Sequence, residues 1–204
     1  MHYTHALSGA AAGRRLSIDQ QMSDEALVTL IARSDKHAMQ VLFVRYNVLM
    51  FRFLMRFVDN ESLAEDLVSE TFIDVWRHAG QYQARSLVST WLLAIARNKA
   101  LSARRQRSTD ELDNEAIDLI EEPGDNPEVA LQKTERSALL LDCLKRLSPA
   151  HREIIDLVYY HERSIDDAAE IIGVPQNTVK TRMFYARRRI AKLMAAQGVE
   201  RAWL

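Results

Sequence analysis

Between Gln176 and Lys192, polar, basic and aromatic side chains recur every three or four residues: Asn177, Lys180, Thr181, Phe184, Tyr185 and Arg188. On a helix they fall on one face, while Val179, Met183, Ala186, Ile190 and Leu193 share the other. Lys180, Arg182, Arg187, Arg188, Arg189 and Lys192 are basic, and no acid occurs between Pro175 and Gly198. Amide, hydroxyl and aromatic groups pair with or pack on base edges, and guanidinium and ammonium groups neutralise phosphates. The chemistry on offer is nucleic-acid recognition, with Asn177, Lys180, Thr181, Phe184 and Tyr185 toward bases and Arg182, Arg187 and Arg188 toward phosphates. Bond-making chemistry finds no comparable set: the sequence shows no paired catalytic carboxylates, phosphate-cradling Gly loop or nucleophile with its base. The six His (2, 5, 37, 78, 151 and 161) lack metal-ligand spacing, so no metal or other cofactor is expected.

Such a helix needs a brace. Ser164 followed by Asp167 is a capping-box-like start, and Ile165, Ala168, Ala169 and Ile172 put small and apolar residues on one face. Gly173-Val174-Pro175 then stops that helix, and the basic helix begins near Pro175 or Gln176. A short helix, a glycine turn and a longer polar helix are the layout of a helix-turn-helix. Small Ala169 allows close approach, and Val179 seats the second helix. An ordinary amphipathic hairpin would share the apolar spacing but would not require the one-sided charge.

The formal net charge of -1 is unpromising for a nucleic-acid binder until it is mapped. Nine acids and no Lys or Arg lie between Ser108 and Gln132; without those nine acids the -1 becomes +8. The chain thus reads as two net-basic parts joined by an acidic strap with Pro123, Gly124 and Pro127. The expected fold is all-α, two small helical domains. The boundaries are a flexible arm over 1–21, a first domain over 22–107, a linker over 108–127 and a second domain over 128–204.

In the first domain the pattern predicts helices over Asp24 to about Ser34, capped by Ser23, and over Lys36 to Val58. A turn at Asp59-Asn60-Glu61 leads to a third helix, Ser62 to about His78. A loop runs from Ala79 to Leu87, and a fourth helix opens at Ser89 or Thr90. Glu65, Asp66, Ser69 and Glu70 fall on the outer side of the third. The fourth starts apolar, so Trp91 is expected in the core, and ends in Arg97, Lys99, Arg104, Arg105 and Arg107. That tail exceeds what helix-dipole compensation needs and favours nucleic acid. Helix is expected to resume near Pro127 and run to Leu147, then again from Pro149 to Tyr160 behind a Ser148 cap. Cys143, the only cysteine, sits in an apolar pattern as an inert buried thiol; no disulfide forms within the chain, which fits a cytoplasmic location. No apolar run approaches the ~20 residues of a membrane span, so no direct membrane insertion is expected.

Three segments carry a resemblance: A-E-D-L-V-S-E-T-F-I-D-V-W at 64–76, S-T-W-L-L-A-I-A-R-N-K-A-L at 89–101 and G-V-P-Q-N-T-V-K-T-R-M at 173–183. In this order, with an acidic linker between the second and third, the chain resembles a bacterial RNA polymerase sigma factor of the extracytoplasmic-function (ECF) group. The resemblance implies that the first domain is sigma region 2, docking on core RNA polymerase through positions matching Asp66, Ser69 and Glu70. It implies that Tyr82, Arg85 and Ser86, with the basic end of the fourth helix (Arg97, Lys99, Arg104, Arg105), hold the non-template strand of the −10 element. The second domain looks like region 4, reading the −35 element of promoter DNA as duplex. The resemblance further implies an anti-sigma factor as partner and a specific, stress-responsive gene set. A stand-alone helix-turn-helix regulator is the alternative, since N-T-V-K-T also resembles response-regulator effector domains. A helical recombinase-like enzyme would need a nucleophile or metal-binding acids, and a structural adaptor leaves the basic face unexplained.

Overall fold

The computed structural model describes residues 22–58, 60–110 and 139–197. Among the described residues every regular element is helical. The chain divides into two compact units, one within 1–116 and one within 117–204, so the division falls inside the acidic stretch. The expectations for the N-terminal arm, Asp59, most of the linker and the start of the helix near Pro127 lie outside the described residues.

The first unit holds α1 (Asp24–Ile31), α2 (Lys36–Leu54), α3 (Glu61–His78) and α4 (Val88–Asp110). Ser23 caps α1 as expected, its Oγ accepting from the Ala26 N–H at 3.2 Å. The helix ends earlier than the pattern suggested because Ser34 turns into the left-handed region (φ 65°). Asp35 then caps α2, its Oδ1 accepting from His37 and Ala38 N–H at 2.8 and 3.0 Å. At the far end of α2 the N–H groups of Arg56 and Phe57 bond three residues back, to Phe53 and Leu54. The tightened turn therefore closes the helix at Leu54 rather than Val58. Asn60 is a cap rather than a turn residue, accepting from Leu63 N–H at 2.9 Å.

α2 packs against α1, α3 and α4. Its Leu42, Met50, Phe53 and Leu54 are wholly buried, alongside Leu27, Ile31, Val75, Leu92 and Leu93 from the other three. Full burial of such a side chain is worth about 1.5–3 kcal/mol, so this cluster holds the unit together. Asp24 ties α1 to α2 by receiving both the Arg45 guanidinium and the Tyr46 hydroxyl. α4 opens at Val88, not at Ser89 or Thr90. Both hydroxyl residues are buried in its first turn. α4 also continues through Asp110, past the expected boundary at Arg107.

The second unit holds a helical segment over 139–145, α5 (Pro149–Ile155), α6 (Ile165–Ile172) and α7 (Gln176–Ala195). Pro149 takes the first position of α5, where a missing N–H costs nothing. The stretch expected to continue as helix to Tyr160 instead winds as a wider π turn over Asp156–Tyr160. The turn is pinned by buried Asp156, whose carboxylate lies 3.3 Å from His161 Nε2 and whose carbonyl accepts the His161 N–H.

The capping box of α6 is formed in both directions. Ser164 Oγ accepts from Asp167 N–H at 3.0 Å, and the Asp167 carboxylate accepts from Ser164 N–H at 3.3 Å. Gly173 sits at φ 74°, and its N–H and that of Val174 return to the Ala169 carbonyl. Ala168, Ala169, Ile171 and Ile172 are buried on α6, and Val179, Met183, Ala186 and Leu193 on α7, whose packing is the helix-turn-helix. Loss of the cap in Ser164→Ala should cost ~1 kcal/mol in urea unfolding. Gly173→Ala should cost ~1–2 kcal/mol from backbone conformation alone, since a Cβ there meets no atom within 4 Å. Gly173→Asn should cost less than Gly173→Ala, because Asn tolerates the left-handed region.

Candidate nucleic-acid interface

The buried side of α7 fixes which side faces out. Asn177, Lys180, Thr181, Phe184, Tyr185, Arg187 and Arg188 are exposed, and Arg182 is half-buried on the flank. Phe184 and Tyr185 are 60% and 51% exposed, so neither ring belongs to the core. They pack edge to face at 5.5 Å and form an aromatic ledge among cations. The Arg187 guanidinium lies 5.6 Å over the Tyr159 ring, a cation–π contact that orients it from the π turn. The sequence placed Arg187 with the phosphate cations but did not reveal this platform, because the π turn leaves no periodicity signal.

In the first unit the loop after α3 begins as a short 3₁₀ turn, Ala79–Gln81. The Tyr82 hydroxyl donates to the Ser86 carbonyl at 2.6 Å, and the Tyr82 ring lies 5.0 Å from Trp91. Ala84 turns the loop in the left-handed region (φ 52°), and Arg85 beside it is exposed. Trp91 differs from expectation. It is only half-buried and lines a groove of about 720 Å³ between α3 and α4, with Leu67, Glu70, Asp74, Ile95 and Lys99.

Lys99 also differs from the expected open cation. Its Nζ lies 2.8 Å from Asp74 and 3.4 Å from Glu70, with 19% of the side chain exposed. Burial works against the ammonium, but hydrogen bonding and charge from Asp74 and then Glu70 outweigh it and hold Lys99 above its ordinary range. Arg104 and Arg105 are exposed on the same helix, Arg105 donating to Ser102 Oγ at 3.0 Å, and Arg97 is half-buried. Glu65, Asp66, Ser69 and Glu70 are exposed on α3 as expected. Among them stands Ile73, 48% exposed, which the sequence reading left unassigned. Its spacing of three, four and seven from Glu70, Ser69 and Asp66 is the signal that locates it there.

Comparison with known proteins decides the family. Residues 42–109 match sigma-70 region 2, and residues 143–192 match sigma-70 region 4. The RNA polymerase sigma-H factor of Pseudomonas aeruginosa is 32% identical over 184 residues, spanning 85% of this chain and 95% of that one. The ECF RNA polymerase sigma-E factor of Haemophilus influenzae is 30% identical over 180 residues, spanning 84% and 95%. The chain belongs to the ECF RNA polymerase sigma factors.

Solved structures agree on the fold. The sigma factor RpoE of Bartonella quintana, crystallised with the anti-sigma factor NepR, aligns at 26% identity and a TM-score of 0.63, covering 79% of this chain and 98% of that one. CnrH, solved with the cytosolic domain of CnrY, aligns at 23% identity and a TM-score of 0.61, covering 85% and 97%. This sigma factor has no helix, among the described residues, long and apolar enough to cross a membrane.

Two outcomes follow from the charge and thiol environments. A Lys with a raised native pKa stabilises the fold below its unfolded pKa and loses that contribution as pH rises through the native one. The stability gap between wild type and Lys99→Met should therefore be full at neutral pH and shrink above pH ~10.4 in urea titrations. Burial, aided by the Asp142 charge and opposed by Arg146, pushes the Cys143 thiol up. Iodoacetamide should leave native Cys143 unmodified at neutral pH and alkylate it rapidly once denaturant opens the second unit.

Proposed function

We propose that this ECF sigma factor places core RNA polymerase on a promoter by gripping it at two separate elements, while catalysis stays in the polymerase. The observation that carries the reading is the α7 face. Asn177, Lys180, Thr181, Phe184 and Tyr185 are exposed together on a helix anchored through its opposite side by Val179, Met183 and Ala186. These side chains enter the major groove of the −35 element, and Arg182, Arg187 and Arg188 hold its phosphates. Tyr82, Arg85 and Ser86, with Arg97, Arg104 and Arg105, hold the unpaired −10 strand. Lys99 joins them through its position in the groove rather than as an open charge.

Core polymerase docks on the exposed α3 face at Asp66, Ser69 and Glu70, and Ile73 supplies an apolar centre for that contact. In domain terms, 22–107 acts on polymerase and the −10 element, 108–127 is the linker, and 128–204 acts on the −35 element. The protein works in the cytoplasm, on a stress-responsive gene set. An anti-sigma factor controls it, as the complex of the Bartonella relative with NepR supports.

Purified core polymerase, the full chain and a promoter library, scored for specific transcripts, test the reading. The expected result is a small set of promoters sharing spaced −35 and −10 elements. Lys180→Ala or Thr181→Ala should relax preference within the −35 element, a loss of about 1–3 kcal/mol per base contact. Asp66→Lys, on an exposed position, should weaken polymerase binding without changing thermal stability. Tight, specific duplex binding without polymerase, and no polymerase-dependent transcript, would support the stand-alone regulator instead.

A further inference from the structure

The second unit carries a basic cleft that the helix-turn-helix reading leaves unused. It measures about 550 Å³ and lies between the last turns of α7 and the corner before α5. Tyr185, Arg188, Arg189 and Lys192 line it from α7, and Arg146 and His151 face them from across the corner. The four α7 residues are spaced three, four and seven apart, so they form one stripe. Tyr185 and Arg188 belong also to the exposed face described above. The cleft is thus continuous with that face and carries it round the helix toward its C-terminal end.

The charge there is poorly compensated. Arg188, Arg189 and Lys192 pair with no carboxylate among the described residues. Arg146 has one partner, Asp142 at 3.1 Å, and both side chains are about half-exposed, so the pair is weak. Four fixed cations around one open cleft repel one another unless an anion lies between them. An open trough, continuous with a groove-reading face, fits a linear polyanion better than a small one. The α7 stripe spans ~10 Å at ~1.5 Å per residue, long enough to face more than one phosphate of a strand.

We propose that this cleft is a phosphodiester site, holding the backbone of the same duplex whose bases α7 reads. Arg146 and His151 reach that backbone from outside the helix-turn-helix. The inference rests on the −35 role given above and adds residues to it. The cleft contributes affinity and salt dependence but no sequence preference, since phosphates carry no sequence information.

Holoenzyme assembled from core polymerase and the full chain tests this on a promoter recovered by the library screen, with salt varied from about 50 to about 200 mM. The double variant Arg146→Gln, Arg189→Gln removes two exposed cations. It should lower promoter affinity roughly ten-fold at the low-salt end, equally for all promoters bound. It should also flatten the log–log salt slope by about 1.8. Asp142→Asn, which removes the carboxylate paired with Arg146, should tighten binding. An unchanged slope in the double variant overturns the proposal. So does a loss of polymerase affinity at constant slope, which would put an acidic surface of the polymerase in the cleft. Thr181→Ala separates the two claims. If its promoter preference stays unaltered while the double variant flattens the slope, base reading by α7 fails and the phosphate site stands.

Discussion

A helix that must bury one side and leave the other uncompensated is the constraint on which the second unit depends. Val179, Met183, Ala186 and Leu193 are buried on a helix that packs on both α5 and α6, and small Ala168 and Ala169 let α6 lie close. Gly173 sets where α6 ends, and a left-handed residue there lets Val174 and Pro175 redirect the chain within two residues. The cations on the far side of α7 then have nowhere to hide. Their repulsion is tolerated because the apolar side, not the charged one, decides the helix's position. A one-sided cationic face of this kind is a by-product of good packing on its back.

The first unit solves the opposite problem. α3 carries acids outward and α4 carries bases toward its end, and the two helices are neighbours. Where they meet, Lys99 is drawn onto Asp74 and Glu70, and the charge difference becomes an internal tie. Beyond that point Arg104 and Arg105 are exposed on α4, and Glu65 and Asp66 on α3. One unit therefore carries surfaces of opposite sign, with the boundary between them fixed by a partly buried ion pair. Exposed pairs are worth little, so the burial of Lys99 is what gives this tie its weight.

Much of this was legible in the sequence because it rests on short-range rules. The capping box at Ser164 and Asp167, the turn at Gly173, the buried face of α7 and the acidic face of α3 all follow from spacings of three and four. What escaped the pattern depends on neighbours distant in sequence or on backbone geometry. Lys99 reads as one more cation in a basic tail until α3 is placed beside it. Trp91 reads as core until Tyr82 is found leaning on it at the mouth of a groove. The π turn keeps the apolar residues of an ordinary helix, so only the buried Asp156–His161 pair betrays it. Ser89 and Thr90 look like caps by type, yet the core took them.

The small ring closed by Tyr82 and Ser86 has a further consequence. Five residues are bracketed by the Tyr82–Ser86 hydrogen bond and the Tyr82–Trp91 ring contact, with Ala84 held in a conformation that residues with a Cβ rarely adopt. A segment so fixed has already surrendered its conformational entropy during folding. Arg85 therefore projects from a bracket already set, and under the −10 role proposed above a strand arriving there would meet a preorganised shape rather than one it must mould. Selectivity at such a place comes from how well the visitor bends.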